Sequence, residues 1–156
     1  MEIISPIFLF LSISFNYMVP KACIQCVKSD PRNQLANKVG IAAIIITCIS
    51  NKAVTLESNM TVLASSVHDK DLKLVLQDCQ KELSDAKTNL TTAIDRLKNK
   101  DYDQTNYLVN LALQKEFDCK KNVGDLQYTL HTTVLNDMTL YEELSEAAMR
   151  IIDRFL

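Results

Sequence analysis

Five cysteines are the side chains best suited to covalent chemistry in this 156-residue sequence. They could form disulfides, hold a soft metal ion or take part in thiol redox reactions, and their spacing separates these uses. Cys79 and Cys119 lie in long stretches that mix polar and apolar residues. Cys23 and Cys26 form a Cys-x-x-Cys near the amino terminus, and Cys48 stands apart. The elements that carry each cysteine therefore have to be placed first.

The apolar residues after position 35 recur at spacings of four and three, which is typical of one stripe along an α-helix. Only two glycines and three prolines interrupt a chain that is 47% hydrophobic, and this composition favours long helices. The sequence predicts an all-α fold, an up-down-up-down antiparallel four-helix bundle over residues 35–156. The four stripes are Leu35, Val39, Ala42, Ile46, Ile49, Ala53, Leu56, Met60 and Leu63; Leu72, Leu76, Cys79, Leu83, Ala86, Leu90, Ala93 and Leu97; Thr105, Val109, Ala112, Cys119 and Val123; and Val134, Met138, Tyr141, Ser145, Ala148, Ile152 and Phe155.

Turn signals separate the predicted helices. Ser66 with Asp69 three residues later forms a candidate capping box, so the first turn is expected at residues 65–70. The second turn is expected near Asn99, and Asp101 with Gln104 three residues later is a candidate N-cap for the third helix.

Cys79 and Cys119 each lie 20 residues from Asn99, on opposite sides of the predicted hairpin. Antiparallel helices pack about 8–10 Å apart, so two inward cysteines at one level can reach the geometry of a disulfide. We predict a Cys79–Cys119 disulfide. It would close a loop of about 40 residues and stabilise the fold by roughly 4 kcal/mol on the chain-entropy model. Two reduced core thiols are the alternative.

The Cys23-x-x-Cys26 pair has no βαβ pattern around it, so thiol redox catalysis is not expected. A second structural disulfide between Cys23 and Cys26 is the first interpretation, and mixed or intermolecular pairing is the second. Cys48 flanks the first stripe and is expected to be a buried free thiol. No metal site is expected, because His68 and His131 have no ligand spacing to any cysteine.

The amino terminus has an apolar run from Ile3 to Phe15, too short to span a bilayer and about the length of a secretory h-region. Residues 1–22 are therefore expected to be a signal peptide, although the segment before the run has no Lys or Arg and contains Glu2. The alternative is a frayed or partly buried amino-terminal helix. Two N-glycosylation acceptors, at Asn59 and Asn89, fit a secreted chain with no membrane association after cleavage.

Charge and motifs exclude several classes of function. The formal net charge is −2 and Lys and Arg are scattered, so no nucleic-acid footprint is present. No phosphate-binding glycine loop and no zinc-protease motif occurs, and the acids Asp78, Asp85 and Asp95 are spread along one predicted helix. Neither an enzyme nor a cofactor is expected.

The residues together resemble the plant invertase and pectin methylesterase inhibitor family, over roughly residues 23–156. The resemblance lies in a Cys pair after a signal peptide, Ser29-Asp30-Pro31-Arg32, Ala36 with Gly40, Leu76-x-x-Cys79, Lys100-Asp101-Tyr102 and Cys119. It implies a secreted, disulfide-linked four-helix bundle that binds and blocks a pectin methylesterase or an acid invertase without covalent change. The cell wall, or the vacuole, is the implied location.

Two departures from the family pattern bear on the target. The family has a longer stretch, folded as a helical hairpin, between its first two Cys, so residues 23–34 form a shortened segment. Invertase-directed members carry a Pro-Lys-Phe loop before the last Cys, and the segment 114–117, Gln-Lys-Glu-Phe, has no Pro. An invertase target is still open, because related sequences without the loop are also called invertase inhibitors.

The resemblance implies target contact through the outer surfaces of the second and third helices. The alternative for each of these residues is an ordinary solvated helix surface. For the whole chain, the alternatives are a secreted structural or ligand-binding protein, or a degenerate family member without inhibitory activity. The candidate contact residues are Lys81, Ser84, Lys87, Thr88, Thr91, Asp95, Asn106, Asn110 and Gln114.

Overall fold

A computed structural model describes residues 21–156, except for the side chains of residues 34 and 35. The predicted signal peptide, residues 1–22, therefore lies almost wholly outside the described residues. The described helices are α1 (Lys21–Ser29), a 3-10 helix (Pro31–Leu35), α2 (Lys38–Ser66), α3 (Lys70–Lys98), α4 (Tyr102–Asp125) and α5 (Thr132–Phe155).

Helices α2 to α5 form the predicted bundle. Each packs against the helices before and after it in the chain, and α5 returns to pack against α2, which closes the ring. The connections of three to six residues make sequential neighbours antiparallel. The all-α, four-helix prediction is confirmed. The short amino-terminal extension consists of α1 and the 3-10 helix, and α1 packs across α2 and α5.

Side-chain caps fix where the helices begin. Asn37 accepts a hydrogen bond from the Gly40 amide at 2.9 Å, and Asp69 accepts one from the Leu72 amide at 2.8 Å. Asp101 caps α4 as predicted, through the Gln104 amide at 3.3 Å. The predicted turn at residues 65–70 is present, but Ser66 does not cap α3, because it is still the last residue of α2.

The first long helix begins at Lys38 rather than at Leu35. Pro31 initiates the separate 3-10 helix, and Asn37 then starts a new helix. A Cβ on Gly40 would lie 3.0 Å from the Cβ of Ala36, so the absence of a side chain there lets the end of the 3-10 helix approach α2 closely.

The predicted stripes form the core between the four long helices. Leu56, Leu76, Leu90 and Met138 are fully buried, and each such side chain contributes on the order of 1.5–3 kcal/mol of transfer free energy. By length and composition α2 could cross a membrane, yet one side of it, including Ile49, is buried inside the bundle. This core holds the surface of α3 and α4 in place.

Candidate functional site

The disulfide between Cys79 and Cys119 joins α3 to α4 about 20 residues from the turn between them, in the half of the hairpin farther from that turn. The two Cα atoms are 4.9 Å apart and each residue is 1% exposed. The two thiols therefore meet at one level of the hairpin, as the sequence predicts. This bond fixes the register of α3 against α4.

The predicted Cys23–Cys26 disulfide is wrong. Cys26 is bonded to Cys48 of α2, with a Cα–Cα distance of 6.2 Å, and Cys23 is the free cysteine. Cys23 and Cys26 are one turn apart on α1, where Cβ atoms three positions apart are about 5–6 Å from each other. A disulfide needs a Cβ–Cβ distance of about 3.5–4.5 Å, so the regular helix keeps the two thiols too far apart.

The expectation that Cys48 is a free thiol is also wrong, because Cys48 is bonded to Cys26. Packing of α1 on α2 presents Cys48 to Cys26, and the sequence of α2 by itself does not reveal that contact. Burial, with a smaller contribution from the charge of Glu143, raises the pKa of the Cys23 thiol to about 12. The thiol therefore stays protonated and unreactive within the fold.

The structure places the nine candidate contact residues on α3 and α4, seven of them exposed and two, Ser84 and Asn106, half-buried. We call the outer surface of these two helices the α3–α4 face. Five of the nine share one ridge of α3, because they follow each other at spacings of three and four. These five are Lys81, Ser84, Thr88, Thr91 and Asp95.

On α4 the three candidates follow each other at spacings of four, so they lie one turn apart along one side of the helix. Asn110 and Gln114 are exposed, and the Gln114 amide donates to the Asn110 side-chain oxygen at 3.5 Å. The Asn106 amide donates to the carbonyl of Met149 at 3.4 Å, so Asn106 lies at the boundary with α5. The α4 candidates therefore begin at the α5 boundary, whereas Lys115 and Asp118 lie toward α3.

A cluster of charged side chains where α3 meets α4 was not among the candidates. Burial and the negative charge of Asp118 raise the pKa of Glu82, and Lys115 lowers it. Asp78 and Asp85 also raise the pKa of Glu82. The spacing of 78, 82 and 85 places these acids on one helix flank, and this is the signal that could have revealed the cluster. Tyr107 adds an aromatic ring, 59% exposed, on α4.

Beneath the α3–α4 face, a buried acid lies between α4 and α5. Glu116 is 0% exposed and neither carboxyl oxygen has a hydrogen-bond partner among the described residues. Burial, and then the nearby charge of Glu142, raises the pKa of Glu116 to about 9. Glu142 itself forms an ion pair with Lys120 at 3.1 Å. At neutral pH Glu116 is therefore held uncharged by its burial and by the negative charge of Glu142.

Within the described residues, no group of three or more His, Cys, Asp and Glu side chains converges as a metal site would require. Four of the five cysteines are in disulfides, and His131 is used as the N-cap of α5, accepting from the Thr133 amide at 3.2 Å. What the arrangement offers is a rigid polar surface with grooves.

The family model for plant invertase/pectin methylesterase inhibitors matches residues 14–151. This chain belongs to that family. The family is one of enzyme inhibitors, which agrees with the lack of catalytic motifs in the sequence.

Two curated relatives carry related names. The chain is 33% identical over 104 residues to the "Cell wall / vacuolar inhibitor of fructosidase 2" of Arabidopsis thaliana, which covers 66% of this chain and 57% of that protein. It is 26% identical over 98 residues to a "Putative invertase inhibitor" of Platanus orientalis, covering 63% of this chain and 58% of the relative. The matched parts thus span less than two thirds of each relative.

Two solved structures share the fold. A mutant form of a pectin methylesterase inhibitor from Arabidopsis superposes with a TM-score of 0.75 at 20% identity, over 97% of both chains. A pectin methylesterase inhibitor from Arabidopsis thaliana superposes with a TM-score of 0.70 at 20% identity, over 94% of this inhibitor-family chain and 95% of the other. At this level of identity the likeness is one of fold.

Proposed function

We propose that this chain is a secreted inhibitor that binds a plant pectin methylesterase or acid invertase and blocks it without covalent change. Membership of the inhibitor family is the observation that carries the proposal. The relative named a cell wall or vacuolar inhibitor supports an extracellular or vacuolar location. The two disulfides support the same route, because disulfides persist in oxidising compartments.

The α3–α4 face supplies the physical basis for inhibition. The Cys79–Cys119 bond and the buried stripes hold both helices before any target arrives. A preorganised surface loses little conformational entropy on binding, so more of its contact energy appears as affinity. The exposed ridge of α3 and the exposed residues of α4 are the proposed contacts.

Different comparisons support pectin methylesterase and acid invertase as the target enzyme. The two curated relatives are named for invertase or fructosidase, whereas the two solved structures are pectin methylesterase inhibitors. The segment 114–117 lies inside the continuous helix α4, with Glu116 buried, so a target-specific loop is not formed there. Both enzymes are therefore kept as targets of the proposal.

The test is an inhibition assay with the disulfide-bonded chain made in an oxidising host. We expect it to slow a pectin methylesterase, an acid invertase or both at micromolar or lower concentration, with full recovery of enzyme activity after the complex is separated. Circular dichroism and a thermal melt establish beforehand that the sample is helical and cooperative. A folded sample that inhibits no member of a panel of both enzymes would contradict the proposal.

A ligand-binding role is a second candidate, favoured by one surface groove. The groove has a volume of about 350 Å³ and lies between α1, α2 and α5, beside Ala22, Leu140 and Leu144. An apolar small molecule would bind there if this role is correct. A thermal-shift screen with apolar ligands tests it, and stabilisation that disappears in Leu144→Asp but remains in Leu74→Asp, an exposed site on α3, would support it.

A further inference from the structure

Asn89, the acceptor of one Asn-Leu-Thr sequon, lies on the flank of α3 that faces α4. It follows Glu82 by seven residues and Asp85 by four, so the three side chains share a flank. The charges of Lys115 and Asp118 of α4 shift the pKa of Glu82, so Glu82 lies close to α4. The flank that carries Asn89 is therefore the α4-facing one.

The disulfide register places Asn89 on the half of the α3–α4 face that is nearer the turn at Asn99. Cys79 and Cys119 are level, and Asn89 lies ten residues after Cys79. In an antiparallel pair the matching position on α4 is ten residues before Cys119, at Val109. Val109 is fully buried, so both helices are packed into the core at the level of Asn89.

The side chain of Asn89 is available for attachment. It is half-buried, with exposed Asp85 one turn before it on the same flank, and within the described residues its amide has no hydrogen-bond partner. The Asn106 amide, by contrast, donates to the Met149 carbonyl. Two disulfides indicate passage through an oxidising secretory compartment, where N-glycans are attached.

We propose that Asn89 carries an N-linked glycan that stands on the α3–α4 face and restricts docking of the target enzyme, so that the unglycosylated chain is the stronger inhibitor. This inference rests on the proposed function. The glycan is a branched polar chain far larger than any neighbouring side chain, and it acts by steric exclusion on the α3–α4 face.

The second sequon is an internal control. Asn59 lies on α2, seven residues after Lys52, and therefore on the same flank of that helix. The Lys52 amine forms an ion pair with Asp137 of α5 at 3.0 Å. This flank of α2 therefore faces α5 and not the α3–α4 face. A glycan on Asn59 would leave the α3–α4 face open.

The experiment compares the wild type, Asn89→Gln and Asn59→Gln, each secreted from a glycosylating eukaryotic host. Glycopeptide mass spectrometry measures occupancy of each site, and inhibition is measured against pectin methylesterase and acid invertase. We expect Asn89 to be occupied, Asn89→Gln to inhibit about tenfold more strongly than the wild type, and Asn59→Gln to match the wild type. The wild-type sequence made disulfide-bonded in a host that attaches no glycans should behave as Asn89→Gln does.

Unmodified Asn89 in secreted protein would overturn the proposal, as would occupied Asn89 with equal inhibition by the wild type and both unglycosylated forms. If no form, including the unglycosylated ones, inhibits either enzyme, the proposed function fails and the restriction fails with it. Occupancy of Asn89 is decided separately, by the glycopeptides. The two failures are therefore distinguishable.

Discussion

At the scale of single residues, Glu116 decides how the fold responds to pH. Its raised pKa means that the folded chain keeps a proton that the unfolded chain gives up near the ordinary value of 4.5. The contribution of Glu116 to stability is therefore largest below about pH 4.5, falls between there and about pH 9, and does not change further above. The slope in that window reaches about 1.4 kcal/mol per pH unit.

Glu116→Gln should flatten this dependence, because the amide keeps the shape of the carboxyl and cannot ionise. We expect the variant to be more stable than the wild type at pH 8 by at least about 1 kcal/mol, and close to it at pH 4. Urea unfolding followed by circular dichroism at both pH values measures the difference. Glu146→Gln, the same change at an exposed position of α5, should keep the wild-type slope. Equal slopes in all three proteins would show that Glu116 ionises normally.

Tyr141 links the same two helices by a hydrogen bond. Its hydroxyl donates to the Ala112 carbonyl at 2.7 Å, and the residue is 0% exposed. Tyr141→Phe should lower the free energy of unfolding by about 0.5–1.5 kcal/mol, the usual net value of such a bond. Tyr107→Phe, at a site 59% exposed, is the matched control and should have no effect. A loss of the same size in both variants would refute a specific role for the Tyr141 hydroxyl.

At the scale of elements, the two disulfides stabilise different pairs of helices. Cys79–Cys119 closes a separation of 40 residues between α3 and α4, and Cys26–Cys48 closes one of 22 between α1 and α2. The chain-entropy model assigns them about 4 and about 3.5 kcal/mol, so they differ little in stabilisation. They differ in location, because only Cys79–Cys119 joins the two helices of the α3–α4 face.

Replacing a disulfide by two alanines separates stability from inhibition. Cys79→Ala with Cys119→Ala should lower the free energy of unfolding by about 4 kcal/mol and weaken inhibition, because the α3–α4 face loses its fixed register. Cys26→Ala with Cys48→Ala should lose about 3.5 kcal/mol and leave inhibition unchanged. Guanidinium unfolding and inhibition constants, measured where both variants are folded, check this. Equal weakening by the two variants would mean that the α3–α4 bond has no special role at the target.

At the scale of the whole molecule, the outer surface of the α3–α4 hairpin can be compared with that of α2. The proposed function assigns target contact to the first. Thr88 and Thr55 occupy equivalent settings on the two, since both are exposed in mid-helix and both hydroxyls donate to the carbonyl four residues earlier.

Thr88→Arg should weaken inhibition at least about tenfold, because the long side chain keeps the target off the ridge of α3. Thr55→Arg makes the same change on α2 and should inhibit as the wild type does. Thermal melts of both variants should match the wild type closely, since neither site is buried. Loss of inhibition in Thr55→Arg alone would move the contact surface to α2.

The sequence by itself determined the four long helices, the Asp101 cap and the level at which Cys79 meets Cys119. These features depend on residues close in the chain, since helical spacing and a hairpin with one short turn are set by local geometry. Tertiary structure decided the rest. Cys26 finds Cys48, and Glu116 is buried beside Glu142, only because separate helices pack together, and a helical stripe does not identify its neighbour. The contact of Asn106 with Met149 of α5 has the same origin, since the side of α4 that faces α5 is fixed by packing between helices.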